Sequence, residues 1–408
     1  MTTASTAGAE QYAETAIAAA SQQRGEPDWL RERRTDAARA YGVLPMPTPA
    51  LRPWRYTDLA GFDLAALPVA QSALTIEGAT AGSGVASALA EAAASDPAVR
   101  EHLGSLLPAT EGMFLAANAA QWRDGVLVHI PRGTAVETPI VITIDGSALS
   151  GTAIFPRLLI VAEERGEATI VVRTVSSDAP LVSVGAVEVV TAQGARLKLL
   201  FDDRWGAATR DFTFVRANLA RDADLQIAAL AMGGALYKQH IDVVLAGEGS
   251  SSAIRAVALG DANQHFDFVT LQDHVGAKTT SVVEVKSALA GASRSAYYGI
   301  TRVGEGAQGA DADQTNRNLL LSGESKADSD PVLEILTANV RRCGHHAAVG
   351  PVDPEALFYL QSRGLDQRQS LQLLVAGFFQ SVLGDLPIEG AQDELAERVS
   401  AKLATAAL

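Results

Sequence analysis

Cysteine is nearly absent from this 408-residue chain, where Cys343 stands alone. One thiol excludes an internal disulfide framework and any metal cage built from cysteines of a single chain. Aromatic residues make up only 5%, too few for a base-stacking surface. Positive charge is also short: 33 Lys and Arg face 47 Asp and Glu, and the net charge of −14 repels phosphate backbones and anionic membranes. Neither nucleic acid nor a membrane is an expected partner. No apolar run reaches the ~20 residues of a membrane span, and MTTASTAGAEQYAETAIAAASQQRG lacks the basic segment of a secretory leader. A lone thiol suits a reducing compartment, so a cytoplasmic location is expected.

Enzyme signatures are missing too. There is no G-x-S-x-G elbow and no H-E-x-x-H helix. Gly276-Ala-Lys278-Thr279 lacks the Gly-Lys pair of a phosphate loop. Gly304-Glu-Gly306-Ala-Gln-Gly309 matches a dinucleotide fingerprint in spacing, but Ala310-Asp-Ala-Asp-Gln opens no amphipathic helix to receive a pyrophosphate. A glycine-rich turn fits better. The paired carboxylates Asp202/Asp203 and Asp311/Asp313 read as solvated turns before they read as a hydrolase or cation site.

What is present is enough apolar residue, 48%, for a real core, with 20% charged. The length predicts two or three structural parts. Residues 1–25, rich in Ala, Ser, Thr and Gln, are expected to be mobile. Trp29, Leu30, Arg33, Ala37 and Tyr41 recur at helical spacing with a stop at Gly42, and residues 85–107 read as further helix, so 26–107 is expected to be a helical region. From Val126 to about Val340 the period switches to two. Short strands such as VLVHI, PIVITI, ATIVVRTV, GAVEVVTA, HFDFVTLQDH and TSVVEVKSAL follow one another, separated by Gly, Asp, Ser or Asn. No helix-length pattern intervenes, which excludes a βαβ fold. A large sandwich, a barrel or a parallel β-helix remain, and small inward residues with Gly/Asp corners favour a β-solenoid.

After Asp353, an N-cap followed by Pro354 and Glu355, the pattern is helical again. Helices are expected over ALFYLQSR with a stop at Gly364, from Asp366 to Leu383, and over 391–406. Leu371, Leu374, Val375, Phe378, Phe379 and Val382 share one face of the second. They read first as core, and more sharply as a solenoid cap or a partner-docking surface. In Arg341-Arg342-Cys343-Gly344-His345-His346, a strand would turn Cys343 and His345 to one face and His346 to the other. A thiolate and an imidazole so placed can ligate iron or zinc, but two ligands do not close a site. The others must come from distant residues, with His274 and His265 as candidates, or from a second chain. Nearby Arg341 and Arg342 would lower the thiol pKa.

Several of these segments, taken in order, carry a resemblance. Asn316-Arg-Asn318-Leu-Leu-Leu-Ser322, Pro331-Val-Leu-Glu334-Ile, Cys343-Gly-His345-His-Ala-Ala-Val-Gly350 and Leu357-Phe-Tyr-Leu-Gln-Ser-Arg363-Gly364 resemble the C-terminal core of the SufB/SufD family. Trp54-Arg-Tyr-Thr57-Asp-Leu59 and Asp124-Gly-Val-x-Val-His129-Ile-Pro131 fit the same family, and the likeness runs from about Pro27 to Leu383. Within the family, the Cys-x-His segment and the single cysteine match the SufD type. His346 and Ala348 stand where the family usually has Gly and Thr, which places a bulky group at a tight position.

The resemblance implies a right-handed parallel β-helix core over 108–352, mainly β, flanked by helical regions at 26–107 and 353–408. It also implies a non-catalytic scaffold that helps build a transient iron–sulfur cluster shared with a SufB-like paralogue. A SufC-like ATPase would dock on the C-terminal helices, and this chain would bind no nucleotide. By motif match His345 is the metal ligand and Cys343 its neighbour. The alternatives are a SufB-type paralogue, a β-solenoid hydrolase or lyase acting on carbohydrate, and a self-assembling structural solenoid.

Overall fold

The computed structural model describes residues 10–78, 85–383 and 391–406. From Gly125 to Pro351 the chain winds into a parallel β-solenoid of about eight turns. From Arg157–Ala162 onward consecutive strands fall in different sheets, and each pairs in parallel with the strand two places on. Asp224, Ser251, Thr280 and Asp311 therefore stand one above the next. Among the described residues the two sheets hold nine and ten strands.

Alternation explains what holds the turns together, because every second side chain points inward. Ile170, Leu199, Ile227, Ile254 and Val283 form one inner column, each no more than 2% exposed. Each such side chain contributes about 1.5–3 kcal/mol when buried. Both outer faces are covered over part of their length, so strands such as Arg157–Ala162 and Leu181–Thr191 read as near-continuous apolar runs.

The N-terminal end of the solenoid is closed. Ala73–Glu77 lies antiparallel on Ile140–Asp145, and Ala86–Ala88 antiparallel on Gly125–Ile130. At the other end the last strands, Lys326–Ile335 and Val340–Pro351, each have one edge with no strand beside it among the described residues.

The N-terminal region covers the outer face of the ten-stranded sheet. Asp28–Val43 is the expected helix and buries Leu30, Arg34, Ala37 and Ala38. The expectation of a mobile start is corrected over its described part. Glu14–Gln23 is helical, Ile17 packs beside Ala37, Ala38 and Ala120, and Tyr12 stacks on Tyr41 at 4.2 Å. Small alanines let these helices approach closely, which a search for large apolar residues overlooks; residues 1–9 lie outside the described residues. The region is also less helical than expected. Residues 44–72 hold only short 3-10 turns, and 85–107 holds a three-residue strand and two short helices, Leu89–Ser95 and Pro97–His102. Pro97 breaks them apart, and Asp96 caps the second through the Ala98 amide at 2.9 Å.

The Trp54–Thr57 motif fastens this region to the sheet. The indole of Trp54 stacks on Phe114 at 5.2 Å, with the Lys238 ammonium 4.7 Å from its centroid. Lys238 donates to the Pro53 carbonyl and to Asp267, both at 2.6 Å, and the Thr57 hydroxyl donates to the same carboxylate.

C-terminal helices occupy Pro354–Ser362, Gln367–Leu383 and Ala391–Thr405. Asp353 caps the first through the Glu355 amide, and Gly364 ends it at φ +95°. Val375, Phe379 and Val382 pack with Leu230, Val257, Leu259 and Ala288 on the outside of the nine-stranded sheet. These helices lie along the flank of the solenoid, and among the described residues none caps its last turn. Among the described residues no helix is long and apolar enough to cross a membrane.

Candidate functional site

The site begins with a bulge. Val340 pairs with Ala310, but Asp311 pairs with Arg342, and Arg341 is the extra residue. From there the register is regular, with Cys343 opposite Ala312, Gly344 opposite Asp313, His345 opposite Gln314 and His346 opposite Thr315. Ala312 and Gln314 are buried inward residues, so Cys343 and His345 share the inner face and His346 the outer one. Cys343 packs, half-buried, against the small cluster of Val303, Ala307 and Ala310. His345 is exposed, because no further turn covers it.

Each of the two residues ends an inner column. His345 stands at the end of the series Ile227, Ile254, Val283, Gln314, and Cys343 ends Leu225, Ser252, Ser281, Ala312. The interior thus changes from apolar to polar toward the open end. Asn316 donates to the Val285 carbonyl at 3.1 Å and Asn318 to Asn316 at 2.7 Å. Gln272 Oε1, Asn318 Oδ1 and the side-chain amide oxygen and nitrogen of Gln239 are buried with no hydrogen-bond partner among the described residues. Such atoms call for bound water.

The outer face is charged. Arg342 Nε lies 2.9 Å and Arg341 Nε 3.5 Å from the Asp311 carboxylate, while His346 Nε2 is 3.8 Å from Asp313. The two arginines are therefore turned away from the thiol. Burial pushes the Cys343 pKa up, contrary to the expected lowering by Arg341 and Arg342. A bound cation would offset that cost, since ligation needs the thiolate. The bulk of His346 meets no tight position, as its side chain is 68% exposed.

The distant ligand candidates do not join. His274 Nδ1 is 2.7 Å from the Thr279 hydroxyl and Nε2 2.8 Å from that of Ser281, and burial lowers its pKa to about 4. Both ring nitrogens are engaged. His265 lies on the outer face of the other sheet, in the row of Leu236 and Arg294, with its Nε2 buried and unpartnered. Among the described residues no group of three His, Cys, Asp or Glu is arranged to hold a metal ion. What this chain offers is a pair, Cys343 and His345.

The remaining motifs resolve structurally. Gly304–Gly309 is the turn between the strands Arg294–Val303 and Ala310–Leu320, with Gly309 at φ +75°. Asp202 and Asp203 are not solvated turns but strand residues 3% and 2% exposed. Asp202 binds Arg173, Arg204 and Arg398, and Asp203 accepts from the amides of Trp205 and Gly233. Asp311 and Asp313 also belong to a strand. Its polar inner row of Gln314, Asn316 and Asn318 escaped the sequence reading, because a strand polar on both faces shows no apolar alternation; the sequence Asp-x-Asp-x-Thr-x-Arg interleaved with Ala-x-Gln-x-Asn was the only signal.

Comparison with known proteins sets this geometry among relatives. A family profile described as "SUF system FeS cluster assembly, SufBD core domain" matches residues 143–378. An iron–sulfur cluster assembly SufBD family protein of Mycobacterium bovis is 30% identical over 297 residues, covering 71% of this chain and 74% of the relative. SufB of Bacillus subtilis is 27% identical, over 71% of this chain and 62% of its own length. SufD of the same organism is 29% identical, over 72% and 67%.

Proposed function

The chain belongs to the SufBD family of iron–sulfur cluster assembly proteins, and on that premise we propose that it is the SufD-type scaffold subunit of a SUF assembly complex. In this role it works in the cytoplasm, turns over no substrate and binds no nucleotide. The nascent cluster is its cargo, held between this chain and a SufB-type paralogue. The observation that carries the proposal is the half-site at the open end, where Cys343 and His345 share the inner face of a strand with a free edge. Each iron of a cluster needs further ligands, and a thiol and an imidazole from one chain leave room for thiolates from another. His345 is the ligand in this reading, and Cys343 stands beside it as a second.

Two surfaces support the assembly. At the open end Ile335, Leu336 and Val349 are exposed beside two strand edges, the chemistry that invites pairing with a second solenoid. On the C-terminal helical region, 353–408, Phe358, Tyr359 and Leu373 are 72%, 56% and 54% exposed, an apolar face suited to a docked SufC-type ATPase. ATP-driven closure there would shift the two scaffolds and open their interface. Because the identities to the Bacillus SufB and SufD differ little, the SufD assignment leans on the Cys343-Gly-His345 segment and the single cysteine.

The test is a complex reconstituted anaerobically with the paralogue and ATPase co-purified from the native lysate. His345→Ala should lower cluster formation by about tenfold or more, the scale of losing a metal ligand or its support, with folding and partner binding intact. A variant complex that builds clusters at the wild-type rate would exclude His345 from the role.

A further inference from the structure

The terminal strand has two ways to lie on its neighbour, and the difference decides which residues reach the inner face. In the observed register the extra residue, Arg341, is absorbed by the bulge, and Cys343, His345, Ala347 and Val349 follow the inward positions Ala312, Gln314, Asn316 and Asn318. Laid flush from Val340, the same strand would set Arg341 opposite Asp311, Arg342 opposite Ala312, Cys343 opposite Asp313 and His345 opposite Thr315. A shift of one residue moves every side chain to the other face. Cys343 and His345 would then point outward.

Hydrophobic pattern selects weakly between the two. No turn covers this strand, so Val349 stays 45% exposed even when it faces inward, and Ala347 is exposed as well. Val340 keeps its partner Ala310 in both registers. The difference lies in the charges. Only the bulge brings two guanidiniums to one carboxylate, Arg342 at 2.9 Å and Arg341 at 3.5 Å from Asp311, and only the bulge keeps Arg342 and His346 within 4 Å of Asp313. The flush register would leave Asp311 one cation and turn Arg342 toward the interior above Ala312. Bulges re-aim side chains next to functional positions, and this one does so just before the metal-ligand pair.

We propose that Asp311, through Arg341 and Arg342, is a positioning residue that holds the bulge and thereby keeps Cys343 and His345 on the inner face. The assignment rests on the site reading above, but its test uses no iron. Cys343 is the only thiol, so its alkylation by N-ethylmaleimide, followed by mass, reports the face it occupies. In Asp311→Ala the rate should rise by about threefold or more, as the thiol leaves the Val303–Ala307–Ala310 cluster for part of the time. Deleting Arg341 in the same background removes the residue that the bulge absorbs, so Val340 and Arg342 seat Cys343 opposite Ala312 with no bulge needed. That double variant should return to the wild-type rate, a rescue that loss of a nearby charge alone would not produce. Arg342→Gln, which retains Asp311, should raise the rate in the same direction and serves where Asp311→Ala does not fold. An unchanged rate in the single variants, or a double variant as fast as Asp311→Ala, would overturn the proposal. Either result leaves the ligand assignment of His345 to be judged by cluster formation alone.

Discussion

Replacing Asp267 by Asn should show how tightly the N-terminal region is fastened. Lys238 and Asp267 have side chains 1% and 2% exposed and an N···O separation of 2.6 Å. At an effective dielectric of about 20, that distance corresponds to roughly 6 kcal/mol of gross attraction, most of it offset by the cost of removing both charges from water. Removing one partner of a buried pair costs about 3–5 kcal/mol, because the other charge stays behind. Two features bound the loss here. The Pro53 carbonyl and the Trp54 ring remain beside the ammonium. The lysine can also give up its proton: burial already lowers its pKa, and holding a lysine of ordinary pKa neutral at pH 7 costs about 4.6 kcal/mol. A loss of about 3–4 kcal/mol is expected in urea-induced unfolding. If the buried lysine is neutral in the variant while the unfolded chain binds a proton, its stability must rise with pH by about 1.4 kcal/mol per unit, up to the ordinary lysine pKa. Adding Lys238→Met should recover all but about 1–2 kcal/mol, since a pair of uncharged groups is far cheaper to bury than one charge. An Asp267→Asn protein within about 1 kcal/mol of wild type, or a double variant no better than the single, would refute the reasoning.

The inner column makes a second prediction: Ile227→Ala, at a side chain 2% exposed between Leu199 and Ile254, should cost about 2–5 kcal/mol in the same assay. The third concerns pH. His129 Nδ1 is 2.9 Å from Asp96 and Nε2 3.2 Å from Glu163, so both ring nitrogens donate only when the ring is protonated. Burial lowers its pKa, but the hydrogen bonds and charge of Asp96 and then Glu163 outweigh that and hold it above the ordinary value. With the folded value raised, this stabilisation is full below the unfolded pKa near 6.5 and is lost as pH rises through the folded value. Its size is about 1 kcal/mol, because Glu163 is largely exposed and screened. Thermal unfolding should show a fall over this window that is flattened in His129→Gln.

The β-solenoid was legible from residue types because runs such as GAVEVVTA and TSVVEVKSAL are too short and too continuous for helices, and no helix lies between them. Its repeat was not, because the stacked residues follow no recurring motif. Asp224, Ser251, Thr280 and Asp311 occupy equivalent positions, and the spacing between them drifts from turn to turn. The strands Arg294–Val303, Ala310–Leu320 and Lys326–Ile335 were the hardest to see, since Tyr298, Asp311, Arg317 and Pro331 interrupt any simple alternation. At the site, the alternation that sets Cys343 with His345 and apart from His346 could be read from a strand of period two. Which face they take could not, because it depends on a one-residue bulge opposite Asp311, thirty positions earlier in the chain. The fates of Arg341, Arg342 and His274 were hidden for the same reason: their partners lie on neighbouring turns or at the solenoid's corners.

The two ends of the solenoid obey different physics, and the difference organises the molecule. A parallel stack exposes unpaired amides and carbonyls at each end, and such edges recruit other strands unless they are covered. At the N-terminal end the chain covers them itself, with Ala73–Glu77 and Ala86–Ala88 running antiparallel to the first strands. At the C-terminal end it has helices that could have served, yet Gln367–Leu383 spends Phe379 and Val375 on the side of the solenoid. The interior changes in step with this. Near the closed end the columns are Ile, Leu and Val; toward the open end Ser, Gln, Asn, His and Cys enter them, side chains that gain little from burial and much from a hydrogen-bonding or metal-bearing neighbour. A final turn meant only to terminate a fold would be expected to bring apolar residues inward and charge its edge. This turn sets a thiol and an imidazole inward beside Ala347 and Val349, which no further turn covers among the described residues, and leaves Ile335 and Leu336 exposed at its edge, the composition that the proposed pairing with a second chain calls for.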